Sequence, residues 1–261
     1  MWKNSSVWQV FYTAWGLFSD RPLPIGWQPR SSSQNSSYAF NPLYAVPVCA
    51  AVCGIIAAVL GRFLSTFLPV NGTALIFAIV IVIAGEMRTS SRGLALNVTF
   101  FEQILNRRSF AEARALRQDD LKQSGVVLSS LLLAIILPVG KFFAVYLVAR
   151  TGNFGMAAAA WVAAAGAEAV LAAEPSAVNV PGFCRNARAE YVAAMAGFFL
   201  LFNLVHLPVA VLVSTAAAAV TVMIMLNLAL HRTGSIDSND MTMTGYLIEL
   251  EVWLATAIMI G

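Results

Sequence analysis

Carboxylates are the residues of this chain best placed to do chemistry. Asp119 and Asp120 sit in a charged segment, residues 101–125, with Arg117 and Lys122 beside them. Within it Ser109 precedes Glu112 by three residues, a capping-box spacing. Phe110, Ala113, Leu116 and Leu121 are spaced as on a helix. Such a helix would bring both aspartates and Lys122 to a site at a membrane surface, or would lie on anionic headgroups through its arginines. Residues 231–240, HRTGSIDSND, put Asp237 and Asp240 in a polar turn after Thr233 and Gly234. Backbone amides of such a turn can bind phosphate, and its carboxylates can hold magnesium, which prefers oxygen ligands. A plain surface loop has the same composition. Glu249 and Glu251 interrupt an apolar run, LIELEVWLATAIMI. An acid in an apolar helix is costly and turns toward the bundle interior. These two lie two residues apart and so point different ways, one toward a site and one toward headgroups. Lys141 and Glu168 also fall in apolar runs and could form a buried pair. His206, beside Pro208, suits the freed backbone groups of a helix break better than a metal.

The elements that position these groups must be membrane spans. The 261 residues are 59% hydrophobic and only 11% charged, with a mean hydropathy of +0.75. Soluble domains carry about 25% charged residues. The apolar runs are long and mostly uninterrupted, as helical spans are, and the short alternating strands of an outer-membrane barrel are absent. The expected fold is all-α, a polytopic helical bundle with about seven spans, near residues 43–60, 73–84, 126–148, 154–173, two within 191–230, and 246–260. The break within 191–230 is expected between Asn203 and Pro208. The alanine-rich run 154–173 should pack closely on its neighbours. Residues 1–42 form an interfacial or cytoplasmic segment, and 43–261 one transmembrane domain with a charged cytoplasmic segment at 86–125. Residues 8–20 suit a short amphipathic interfacial helix, with Trp2, Trp8 and Trp15 as anchors. No cleavable leader is expected in the first 40 residues. Cys49, Cys53 and Cys184 make no disulfide framework and are expected to pack.

Orientation follows from the basic residues. Arg88, Arg92, Arg107, Arg108, Arg114, Arg117, Lys122, Arg185, Arg188 and Arg232 fall on one side if the helices alternate, with Lys3, Arg21 and Arg30. The other side holds Arg62 and Arg150. The basic side, with the N-terminus, should be cytoplasmic, in the inner membrane of a prokaryote. Most carboxylates, Glu86, Asp119, Asp120, Asp237 and Asp240 among them, fall on that side too. A polar site is therefore expected at the cytoplasmic face, and no nucleic-acid partner.

The order of these segments resembles the cobalamin synthase family, the adenosylcobinamide-GDP ribazoletransferases. The likeness spans nearly the whole chain and rests on layout more than on motifs. Arg21-Pro-Leu-Pro24 followed by Trp27 is similar to the family's N-terminal Arg-x-Pro-x-Pro and nearby Trp. Asn41-Pro-Leu-Tyr-Ala-Val-Pro-Val, then Gly54, is similar to its Tyr-Pro-Leu-Val-Gly lead-in to the first span. Arg108 to Arg117, ending at Ser124-Gly125, resembles its charged helix, and His231-Arg-Thr-Gly with Glu249 its Gly-x-Thr-Gly-Asp segment and following acidic helix. The resemblance implies a membrane enzyme that joins a GDP-activated corrinoid to alpha-ribazole, releasing GMP, with magnesium as cofactor. It would make Asp119, Asp120 and Glu249 the catalytic candidates. Arg92, Arg117, Lys122, Thr233 and Gly234 would bind substrate, and Glu86, Asp237 and Asp240 would hold metal.

One stretch departs from that pattern. Residues 85–99, GEMRTSSRGLALNVT, stand where the family carries Gly-Gly-x-His-x-Asp-Gly-Leu-x-Asp-x-x-Asp. With Gly93-Leu94 aligned, the His falls on Ser90 and the three aspartates on Arg92, Leu96 and Thr99. Leucine and threonine cannot replace anionic ligands that neutralise charge on a transferred phosphoryl group. The ordinary metal-dependent reaction is therefore expected to be impaired. Two other readings stand beside it: an inactive family member serving as a binding or assembly subunit, and an unrelated small-molecule transporter. A homo-oligomer is compatible with all three.

Overall fold

The computed structural model describes residues 6–19, 40–88, 128–204 and 207–260. The regular elements there are helices, joined at one point by an isolated parallel bridge between Ala177 and Ile236. In chain order they are α1 (Ser6–Phe18), α2 (Val46–Leu64), α3 (Val70–Arg88), α4 (Leu128–Arg150), α5 (Met156–Ala172), α6 (Ala189–Asn203), α7 (Pro208–Thr233) and α8 (Ser238–Ile260). A short 3₁₀ turn, Pro42–Ala45, leads into α2, and another, Cys184–Asn186, precedes α6.

Among the described residues, four stretches are long and apolar enough to cross a membrane: Pro42–Leu64, Val70–Arg88, Pro208–His231 and Ser238–Ile260. α5 and α6 are apolar but shorter, at 17 and 15 residues. α4 has 23 residues and carries Pro138 and Lys141 within it. The break expected between Asn203 and Pro208 is where α6 ends and α7 begins. Pro208 suits a helix start, where its missing N–H costs nothing. α8 begins eight residues before the apolar run that announces it. Its polar first turn is held by a reciprocal cap: Asp237 Oδ1 accepts from the amides of Asn239 and Asp240, and Asp240 Oδ2 accepts from the amide of Asp237.

α5 is the axis of the bundle. Nearly all of its residues are buried, because alanine lets neighbours approach from every side. It packs against α2, α8 and α6; α3 and α4 pair with each other, and α4 and α7 lie against α8. α2 meets α5 through small residues at Ala50, Gly54, Ala57 and Gly61. A Cβ on Gly54 would collide with the backbone of Ala158, and one on Gly61 would stand 2.5 Å from the Phe154 ring. The apolar side chains left outside, such as Ile56, Phe143 and Ile258, form the surface offered to lipid. α1 buries Val10, Ala14 and Phe18, four residues apart, against α2 and the Pro42–Ala45 turn. Trp8 and Trp15 are half-buried on that helix. Trp2 lies outside the described residues.

Candidate functional site

Four charged side chains meet inside the bundle, at the end where α3 and α5 finish and α8 begins. Lys141 of α4 and Glu249 of α8 form an ion pair, Nζ to Oε1, at 2.7 Å, and each residue is 1% exposed. Trp161 of α5 donates its Nε1 hydrogen to the same Oε1 at 2.8 Å. The Tyr246 ring lies below the ammonium, 5.4 Å from Nζ to centroid. The second pair sits nearer the end of the bundle. Arg88, the last residue of α3, reaches Glu168 of α5, with Nη1 at 2.9 and 3.1 Å from the two carboxylate oxygens. Phe18, at the end of α1, lies 5.5 Å from the Arg88 guanidinium and covers it. Along α5 the two levels, Glu168 and Trp161, are seven residues or about 10 Å apart.

Two glycines make room for this arrangement. A Cβ on Gly85 would stand 2.5 Å from Lys141 Nζ and 3.7 Å from Glu249 Oε2. A Cβ on Gly245 would overlap the Glu168 carboxylate. The sequence thus supplies four charges and removes two side chains at the points where they converge. Oε1 of Glu249 accepts both bonds, while Oε2 is buried with no hydrogen-bond partner among the described residues. A buried acceptor left unsatisfied costs about 1–3 kcal/mol. Glu86, half-buried on α3, is close enough to Lys141 and Glu249 to feel both charges.

The expected site residues fall into three groups. Glu249 belongs to this cluster and Glu86 borders it. Asp237 and Asp240 do not: Asp240 precedes Glu249 by nine residues, about 13 Å along α8, and both aspartates are engaged in capping that helix. Thr233 is the last residue of α7, and Gly234 takes the left-handed conformation, φ 65°, that ends a helix. The amides of Gly234, Ile236, Asp237, Asn239 and Asp240, which a phosphate turn would need, already bond to protein acceptors. Arg92, Arg117, Asp119, Asp120, Lys122 and the helix expected around them lie outside the described residues, as does His206.

The buried pair expected between Lys141 and Glu168 is replaced by two others: Lys141 with Glu249, and Glu168 with Arg88. The reason is depth, since Lys141 lies at the level of Trp161 and Glu168 at the level of Arg88. Glu251 turns away from the cluster and accepts a hydrogen bond from Thr221 of α7 at 2.6 Å. Arg88 and Trp161 were not foreseen as site residues. Trp161 had a signal, a lone indole N–H in a run of alanines. Arg88 had none, because an arginine ending a span looks like any other loop charge.

Among the described residues no three His, Cys, Asp or Glu side chains converge. Glu86 and Glu249, whose charges interact, share their space with a lysine. Compared with protein-family models, curated proteins and solved structures, the chain matches none of them.

Proposed function

We propose that the chain is a diverged cobalamin synthase-like membrane protein, with its charged interior as the remnant of a site for a GDP-activated corrinoid. One observation supports this most. Gly85 and Arg88, which open the stretch standing in place of the family's metal motif, lie against Lys141, Glu168 and Glu249. Glu249 belongs to the closing acidic helix that the same resemblance marks. Two segments far apart in sequence, each singled out by the resemblance, thus adjoin one cluster. In the transfer reaction a hydroxyl of alpha-ribazole attacks the corrinoid-side phosphorus and the bond to GMP breaks. The hydroxyl proton needs an acceptor, and of the two ion-paired carboxylates Glu249 is the one with a vacant oxygen among the described residues. Arg88 and Lys141 place positive charge where phosphate oxygens gain negative charge. With Arg92, Leu96 and Thr99 where the family carries aspartates, turnover should be slow. The polar end is assigned to the cytoplasmic side of a prokaryotic inner membrane. Arg88, Arg185 and Arg188 at that end, against Arg62 and Arg150 at the other, support this.

The test incubates the lipid-embedded protein with magnesium, adenosylcobinamide-GDP and alpha-ribazole. Cobalamin and GMP formed together, and lost in Glu249→Gln, are the expected result. Corrinoid binding without turnover would replace the enzyme with a binding or assembly subunit. Neither binding nor turnover would overturn the family reading and leave a transporter, because the cluster lies inside the bundle.

A further inference from the structure

The opposite end of the bundle carries a feature that the charged interior does not use. Ile55, Val59 and Arg62 fall on one face of α2, at spacings of four and three. With Asn153 before α5, and Phe202 and Asn203 at the end of α6, they line a groove of about 440 Å³. Its lower part is apolar and open, with Ile55 56%, Val59 62% and Phe202 75% exposed. Its upper part is polar. Arg62 is exposed and has no carboxylate partner among the described residues, where the ion pairs belong to Arg88 and Lys141. Asn153 gives one amide hydrogen to Thr151 Oγ1, and Asn203 gives one to the Phe199 carbonyl. Each keeps a second hydrogen for a ligand. The N-terminus of α5 adds the positive end of a helix dipole at the same height. Gly152, at φ 77°, turns the chain beneath the Arg62 guanidinium.

We propose that this groove binds an anionic phospholipid, its phosphate on Arg62 and one acyl chain along Ile55 and Val59. Charge complementarity selects the occupant. A guanidinium with no carboxylate partner among the described residues, at the end of a 23-residue apolar span, sits at headgroup level. From Arg62 to Ile55 the groove descends seven residues, about 10 Å, into the depth of the acyl chains. A soluble anion would satisfy Arg62 but leave that descent empty.

Native mass spectrometry of the purified protein, titrated with palmitoyl-oleoyl phosphatidylglycerol or with phosphatidylcholine of the same chains, tests this. Phosphatidylglycerol should bind more tightly. Arg62→Gln should weaken it about five-fold and leave phosphatidylcholine unchanged. Arg62→Lys should keep most of the preference. Arg150→Gln, a basic residue at the same end of the bundle, should change nothing. Ile55→Trp, at an exposed position that tolerates bulk, should lower binding by filling the groove. Equal binding of the two lipids, no effect of Arg62→Gln in a normally folded variant, or displacement of the lipid by millimolar inorganic phosphate would each overturn the proposal.

Discussion

Lys141 and Glu249 are costly residues to carry. Each is withdrawn from water, and their attraction only offsets that loss because Trp161 and the Tyr246 ring share the work of solvation. Removing one partner leaves the other charged and buried. Glu249→Ala should therefore lose about 3–5 kcal/mol, whereas the double variant Lys141→Met, Glu249→Leu should recover most of it. Reversible denaturant unfolding in bicelles reads both. Equal losses in the single and double variants would show that the charges are solvated in some other way. The charges themselves were visible in the sequence, because an acid or a lysine in an apolar helix has few places to go. Their pairing was not. It depends on how far each helix is rotated and how deep each residue sits, and a linear pattern holds neither quantity.

At the scale of the helices, the small residues of α2 and α5 do most of the positioning. Gly54 pressed on Ala158 closes α2 on α5, and one turn further along α5 Trp161 reaches across to α8. Gly54→Val should separate α2 from α5, with a loss of about 3 kcal/mol or failure to fold. Ile56→Val, on the exposed face of the same helix, should cost under about 0.5 kcal/mol. Thermal unfolding in detergent compares them, and similar melting temperatures would refute the close-packed seam. Helix bodies were legible because a run of apolar residues has few structures open to it in a membrane. Helix ends were less so. The start of α8 was hidden because Ser238, Asn239 and Asp240 look like loop residues until the cap at Asp237 is known. The turn at Thr233 and Gly234 looked like an anion-binding loop for the same reason: its amides are taken by the helix ends on either side and, for Ile236, by the Ser176 carbonyl far off in sequence.

Across the whole molecule, the two ends of the bundle differ in kind. One gathers the charged cluster, the α5–α6 connection and the α7–α8 turn; the other has the α2–α3 turn and the lipid groove. Single cysteines at Thr66 and Asn186, both exposed, stand at opposite ends. In intact cells a membrane-impermeant maleimide should label Thr66→Cys, and Asn186→Cys only after permeabilisation. Labelling of both from one side would refute the arrangement. Native Cys184 will not confuse the result. Burial pushes its thiol up from 9.0 to about 11, so it stays protonated and unreactive near neutrality. The sign for stability follows: the preference for the neutral thiol favours the folded state below pH 9.0 and is lost as pH climbs toward about 11.

The bridge between Ala177 and Ile236 looks minor beside the ion pairs, with two backbone bonds of 2.8 and 3.0 Å. It ties the chain leaving α5 to the chain arriving at α8, and those two helices also pack along their length. They carry the acids, Glu168 and Glu249, while the paired helices α3 and α4 carry the bases, Arg88 and Lys141. Both ion pairs thus cross one seam, between the stapled helices α5 and α8 and the paired helices α3 and α4. Full separation of the two helix pairs would break both ion pairs, so the cluster acts as a clasp across that seam.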